Sequence, residues 1–222
     1  MNAISKKYEF TNETKQVGDV TLYRIRALRD FGDVKAGDLG GFIEKEDNLS
    51  HDGNCWVGGD AWAFSYGRVY DNAIVCDDAI VCGHIYGNAH VCDKTRVYVG
   101  AHVYDNAHLS YNAWVYHHAR VYGNAKLSGS ARIHRNAEVY DHAVVSGAAK
   151  IYGKVYENAS VGCHTKVYGS VYGNAKISGY FHISGNVYGN ARIKRRSRFS
   201  FVPRNCEVYE GDNIVKTVAE VA

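Results

Sequence analysis

Between Val121 and Gly147 the chain reads VYGNAKLSGSARIHRNAEVYDHAVVSG: an aliphatic residue recurs every six positions, and a small residue, usually Ala, stands fifth in each unit. The same pattern starts units at Val57, Ala63, Val69 and Val75, and again from Ile85 to Val145. Four units are cut to four residues: VCGH at Val81, IYGK at Ile151, VYGS at Val167 and ISGN at Ile183. Dealt in turn onto three faces, all four short units land on the same face. That regularity predicts a chain that turns a corner after each unit and closes a coil after three.

The other two faces then sort themselves. One collects a tyrosine after each aliphatic residue: Tyr70, Tyr86, Tyr104, Tyr122, Tyr140, Tyr156, Tyr172 and Tyr188. The other collects small residues there, from Gly58, Cys76 and Cys92 through Ser110, Ser128, Ser146 and Gly162 to Ser178, with Lys194 ending the series. Side chains alternate across a strand, so the aliphatic position points inward and stacks on its equivalent one coil away, about 4.8 Å along the axis. Gly, Asp and Asn suit the corners because they tolerate left-handed backbone. A rod of eight or nine coils folds by nearest-neighbour stacking and needs its ends covered.

The off-pattern ends are read as those covers. An N-terminal β cap is expected over 1–50, the repeats over 51–198 and a C-terminal cap over 199–222. The stretch from Asp212 through Ile214, Val215 and Val218 fits a short helix or strand. The expected fold class is all-β, a single-stranded three-sided parallel solenoid.

Composition agrees. Among 222 residues there are 23 Gly, 18 Tyr, one Pro and one Met, and Val outnumbers Leu, Met and Glu together, a balance that suits pleated, half-buried surfaces. The formal charge of +3 is too mild to mark a nucleic-acid protein by itself, although RIKRRSR (Arg192 to Arg198) concentrates cations. No membrane span or signal peptide is readable, so no membrane partner and a cytoplasmic location are expected. The six Cys fit no metal-ligand spacing, so neither a metal nor a cofactor is expected. They read as small, half-buried residues rather than a disulfide framework, with Cys76 and Cys92 as stacked neighbours.

VYGNAK, LSGSAR, IHRNAE and VYDHAV match the aliphatic and small positions of the [LIV]-[GAED]-x-x-[STAV]-x hexapeptide, and the chain resembles hexapeptide-repeat, left-handed parallel β-helix proteins over about two thirds of its length. The resemblance implies left-handed coiling. YRIRALRDFGDVKAGDLGGFIEKEDNLS (Tyr23 to Ser50) followed by VYGNA units is also similar to repeat proteins of bacteria and of phage or prophage genomes, described as transferases or polymer-forming proteins. Acyltransferases of this class use a loop thrown out of a coil, a catalytic His and a trimer cleft. Between Val57 and Val145 the turns are uniformly tight, so the histidines are judged without that loop.

Stacking puts His84 over His102 and His90 over His108, a cluster that could serve as a general base or hold a metal. The same columns carry Arg68, Arg120, Lys126 and Lys176, which reads as a solvated ladder, and the spacing does not match the carbonic-anhydrase branch of the fold. The tyrosine column, Tyr86 through Tyr188, offers rigid amphipathic contact area. Arg132, Lys150, Lys166, His182 and Arg198 are expected on one edge, with Lys194, Arg195 and Arg196 finishing the rod, a patch suited to a phosphate-bearing ligand.

The leading expectation is a non-enzymatic binding protein with no catalytic residues, whose Tyr-rich and basic faces engage a protein partner. If the chain is phage-encoded, that partner is a host immune protein in the host cytoplasm. One alternative is a hexapeptide acyltransferase with His84, His102, His108 or His118 as base. Others are a nucleotide-sequestering protein and a structural filament. A homo-oligomer, dimer or trimer, fits several of these.

Overall fold

Each coil contributes three short strands to three parallel sheets, and the inward residue of each strand sits on its counterpart in the next coil. The computed structural model describes residues 6–217 of the chain. On the first face Ala63, Val81, Val97, Val115, Ile133, Ile151, Val167, Ile183 and Val202 stack in that order. This is the face of the short units. The tyrosine face stacks Val69, Ile85, Val103, Val121, Val139, Val155, Val171, Val187 and Val208. The serine face runs from Val57 to Ile193.

The interior is narrow and lined by apolar side chains. The aliphatic residue of each strand is buried, and so is the Ala that precedes the next strand, as at Ala73, Ala89, Ala107 and Ala125. Burial of apolar surface at about 25 cal/mol per Å² drives the stacking. Backbone amides bond to the carbonyls of the next coil along its whole perimeter, as in Tyr104 N–H to Val121 O at 3.0 Å and Asn106 N–H to Gly123 O at 2.8 Å.

The corners explain the Gly/Asp alternation of the tyrosine units. Asp71, Asp105 and Asp141 all adopt positive φ between +55 and +58°, a left-handed backbone that short polar residues tolerate. Each carboxylate accepts the corner amide of the coil above: Gly87 N–H to Asp71 at 3.0 Å, Gly123 N–H to Asp105 at 3.2 Å, and Glu157 N–H to Asp141 at 3.1 Å. Asn72, Asn88, Asn106 and Asn124 form an amide ladder beside them, 3.1 to 3.3 Å apart.

The short corners need glycine for a different reason. At Gly153, Gly169 and Gly185 a Cβ would lie 1.9 to 2.0 Å from a carbonyl oxygen of the next coil. Cutting a unit to four residues therefore brings neighbouring backbones too close for any side chain.

The first coil is covered by an antiparallel pair, β1 (Tyr8–Val17) and β2 (Val20–Ala27), followed by β3 (Leu39–Ile43). β3 runs antiparallel to β2 and parallel to Trp62–Ala63, so one sheet changes from meander to solenoid at β3. Leu49 bridges Val69 in parallel. Lys7 is fully buried at this end. Its ammonium group donates to the carbonyls of Asp52, Gly53 and Cys55 at 3.3, 3.4 and 2.9 Å and lies 3.2 Å from Cys55 Sγ. Carbonyls that lack a coil below them thus find a donor, and burial pushes the Lys7 pKa down.

At the far end Cys206–Gly211 continues the tyrosine face, and Val215–Lys216 folds back antiparallel on Cys206–Glu207. The helix considered from Asp212 does not form over the described residues, because this backbone is engaged in strand pairing and Thr217 N–H bonds Asn205 O at 2.9 Å. Val218 lies outside the described residues.

Gly169→Ala is expected to cost about 1–3 kcal/mol by overpacking a corner that cannot open without breaking coil-to-coil bonds. Chemical denaturation of the variant measures it, and a change below about 0.5 kcal/mol would contradict the corner geometry.

Candidate active site

The residue before each inward aliphatic on the tyrosine face points outward, and coil stacking aligns Arg68, His84, His102, Arg120, Glu138 and Lys154 in one column. The imidazoles of His84 and His102 stack with centroids 4.9 Å apart and planes 8° from parallel. Tyr86 closes one side of His102, edge-on at 6.2 Å. His84 ends the short unit VCGH, so Gly83 alone separates it from Cys82 on the neighbouring face.

Both rings are half-buried, and both pKa values lie below the ordinary histidine value of 6.5. For His84 the causes are burial and then Arg68; for His102 they are burial, His84, Arg120 and His118. Neutral imidazoles at pH 7 can accept a proton.

The segment after β3 turns this column into a cleft. A single turn at Glu46–Asn48 is pinned over the first coil: Asn48 is buried, donates to Gly67 O at 2.7 Å and accepts the Lys45 amide at 3.0 Å. Tyr8 Oη donates to the carbonyls of Leu49 at 2.8 Å and Glu46 at 3.2 Å. Beneath the segment lies a cavity of about 560 Å³ lined by Glu46, Asp47, Leu49, Ser50, His51, Arg68, Val69, Tyr70 and His84. A second cavity of about 400 Å³ shares Asp47, Arg68 and His84 with it. His84 stands where the two meet.

His51 closes the cavity from the cap side. Its ring stacks on Tyr8 at 4.3 Å, its Nδ1 accepts the Lys7 amide at 3.2 Å, and its Nε2 is buried without a hydrogen-bond partner among the described residues. Burial also holds its pKa low. Glu46, Asp47, Ser50, His51 and Arg68 were not singled out as cavity residues in the sequence. The usable signal was the six-residue step from Ile43 to Leu49, hidden by the eight-residue step from Leu49 to Val57.

The other histidines are distributed elsewhere. His102 is stacked on His84 but lines neither cavity, and His108 pairs with His90 on the serine face, centroids 6.1 Å apart. His118 is an exposed corner residue that crowds Gly100.

The tyrosines form a continuous ladder. Tyr70, Tyr86, Tyr104, Tyr122, Tyr140, Tyr156, Tyr172 and Tyr188 stack at 4.8 to 5.0 Å and within 5° of parallel. From Tyr86 to Tyr172 both faces of each ring are therefore covered by its neighbours, leaving edges and hydroxyls to solvent. Burial raises these phenol pKa values, that of Tyr122 to about 12.

Of the expected basic edge, Arg132, Lys150, Lys166 and His182 share a column. Arg198 does not join them, because the last coil departs from the six-residue step and Phe201 pairs with His182. Lys194 pairs with Ser178 on the serine face, and Arg195 and Arg198 line a small cavity with Tyr180 and Phe181. Arg196 is exposed at the same end. Cys76 and Cys92 are stacked neighbours, and their sulfurs are bonded, against the expectation of free thiols. Their Cα atoms are brought to 4.7 Å by coil stacking, a separation that disulfides tolerate. Asp77 lies beside them.

No protein-family model matches the chain. One curated protein is similar to part of it. Over 74 residues the chain is 35% identical to the uncharacterized acetyltransferase YdcK of Escherichia coli (strain K12), a match that spans 33% of this chain and 23% of that protein. This similarity overturns the expectation of a non-enzymatic binder that blocks a host defence protein, and it favours the acyltransferase alternative. No helix among the described residues is long and apolar enough to cross a membrane.

In an NMR titration His84 and His102 should show midpoints below 6.5, and Arg68→Gln should raise that of His84. Midpoints at or above 6.5 would contradict the half-buried, cation-flanked setting. The same depression links to stability: the unfolded chain protonates first, so stability should fall as pH drops from 6.5 through the folded-state midpoints.

Proposed function

We propose that the chain is an acyltransferase that moves an acyl group from a thioester donor, acetyl-CoA in the simplest case, to a hydroxyl or amine acceptor, with His84 as general base. The observation that carries this reading is a neutral, low-pKa imidazole at the meeting point of two cavities. The similarity to an acetyltransferase-named protein supports the reaction class.

In this mechanism His84 takes the acceptor's proton as its oxygen or nitrogen attacks the thioester carbonyl. Arg68, next in the column and lining both cavities, stabilises the oxyanion of the tetrahedral intermediate. Collapse breaks the C–S bond, and the imidazolium returns its proton to the leaving thiolate. His102 stacks on His84 and fixes the ring's plane, acting as a positioning residue.

The test is thiol release from acetyl-CoA with a panel of hydroxyl and amine acceptors. His84→Ala should lower kcat/KM by about 10²- to 10⁴-fold, while His118→Ala keeps the wild-type rate. The wild-type rate should fall on the acid side with a midpoint below 6.5, since protonation removes the base. Full activity in His84→Ala, or no acceptor-dependent thiol release by the wild type, would overturn the reading.

A further inference from the structure

The short-unit face carries a column of cations with no acid among them. Register places Arg132 against Lys150 and Lys150 against Lys166. Like charges directly opposite each other on neighbouring strands are destabilising. None of these side chains makes an ion pair among the described residues, whose ion pairs all lie elsewhere.

The tyrosine face shows how the same fold resolves this problem. There Glu138 stands between Arg120 and Lys154 and meets both, at 4.0 and 2.8 Å. The short-unit face has the same geometry and no such residue.

Beside the cations runs a second aromatic ladder: Tyr98, Tyr116, His134, Tyr152 and Tyr168, with centroids 4.5 to 4.9 Å apart. Burial, then Lys150 and Arg132, hold the His134 pKa down, and its Nε2 is buried without a partner among the described residues. The face is thus a flat, positive strip whose rings present edges and hydroxyls.

We propose that this face docks an acidic polysaccharide, and that, resting on the acyl-transfer reading, the polymer is the acceptor. Its carboxylates supply the charge missing from the Arg132–Lys150–Lys166 column, and its hydroxyls meet the phenol edges and provide the groups to be acylated. Single-stranded nucleic acid fits less well, because its binding leans on base stacking against open aromatic faces, and these faces are covered by one another. The strip also leads to the candidate base. At the short corner VCGH the chain passes from Cys82 on this face to His84 across one glycine, and the Tyr98 column borders that corner.

The experiment measures binding of polygalacturonate to the full chain by titration calorimetry at low and raised salt. Neutral dextran and oligothymidylate serve as comparison polymers. Binding of polygalacturonate that weakens with salt is expected, with no binding of dextran and weaker binding of oligothymidylate. Lys150→Glu should reduce the affinity by about tenfold or more, because a cation becomes an anion in the middle of the strip. The same variant should melt at a higher temperature than the wild type, because it rebuilds the Arg120–Glu138–Lys154 arrangement on this face; that separates lost binding from lost folding. Lys176→Glu on the serine face should leave the affinity unchanged. Binding of the polymer by the wild type is expected whichever way the acyl-transfer assay falls. Preference for oligothymidylate, equal loss in Lys176→Glu, or a wild type that binds no polygalacturonate would overturn the proposal.

Discussion

Every coil of this molecule must offer its neighbours the same triangular rim of amides and carbonyls. One residue out of step would leave unpaired polar groups around a whole corner, each costing roughly 1–3 kcal/mol when buried. The uniform Val and Ala positions, the left-handed Asp corners and the glycine at each short corner all serve that constraint. It also creates the problem of ends. The first rim is met by β3, by the parallel bridge at Leu49 and by the Lys7 ammonium on three carbonyls. Covering that rim lays Glu46–His51 across the Arg68–His84 column and makes the cleft.

Stacking also imposes chemistry on the surface. A residue type repeated at one position of the unit becomes a column with neighbours about 5 Å apart, so aromatic rings must stack and charges must face their own kind. Rings tolerate this, as the two aromatic ladders show. Histidines tolerate it by staying neutral, and the depressed pKa values of His84 and His102 follow from their partners in the column as well as from burial. Cations need an acid between them, which Glu138 provides on one face and nothing described provides on the other.

Most of the coil was legible in the sequence because the signal was redundant. The short units alone assigned the three faces, and from that assignment the pairing of His84 with His102, of Cys76 with Cys92 and of the eight tyrosines followed. What escaped lay where the step length changes. Leu49 is followed by an eight-residue unit, so Glu46 and Asp47 read only as part of a cap and His51 only as the start of the repeats, and the cleft they form with Arg68 was invisible. Arg198 was misplaced for the same reason at the other end, where Phe201 takes the column position. The leading expectation for the function gave the tyrosine ladder weight as contact area, whereas stacking leaves it only edges and hydroxyls, and His84 was weighed without the two cavities it lines.

Covering the first coil builds the cleft in which acyl transfer is proposed. Hydrogen–deuterium exchange with and without acetyl-CoA tests it most directly. Protection confined to residues 44–51, 67–70 and 83–86 would place the donor in the cleft under the Glu46–His51 segment. Protection at the C-terminal coils with none in those three stretches would contradict the account, since the donor would then sit at the opposite end of the rod from His84.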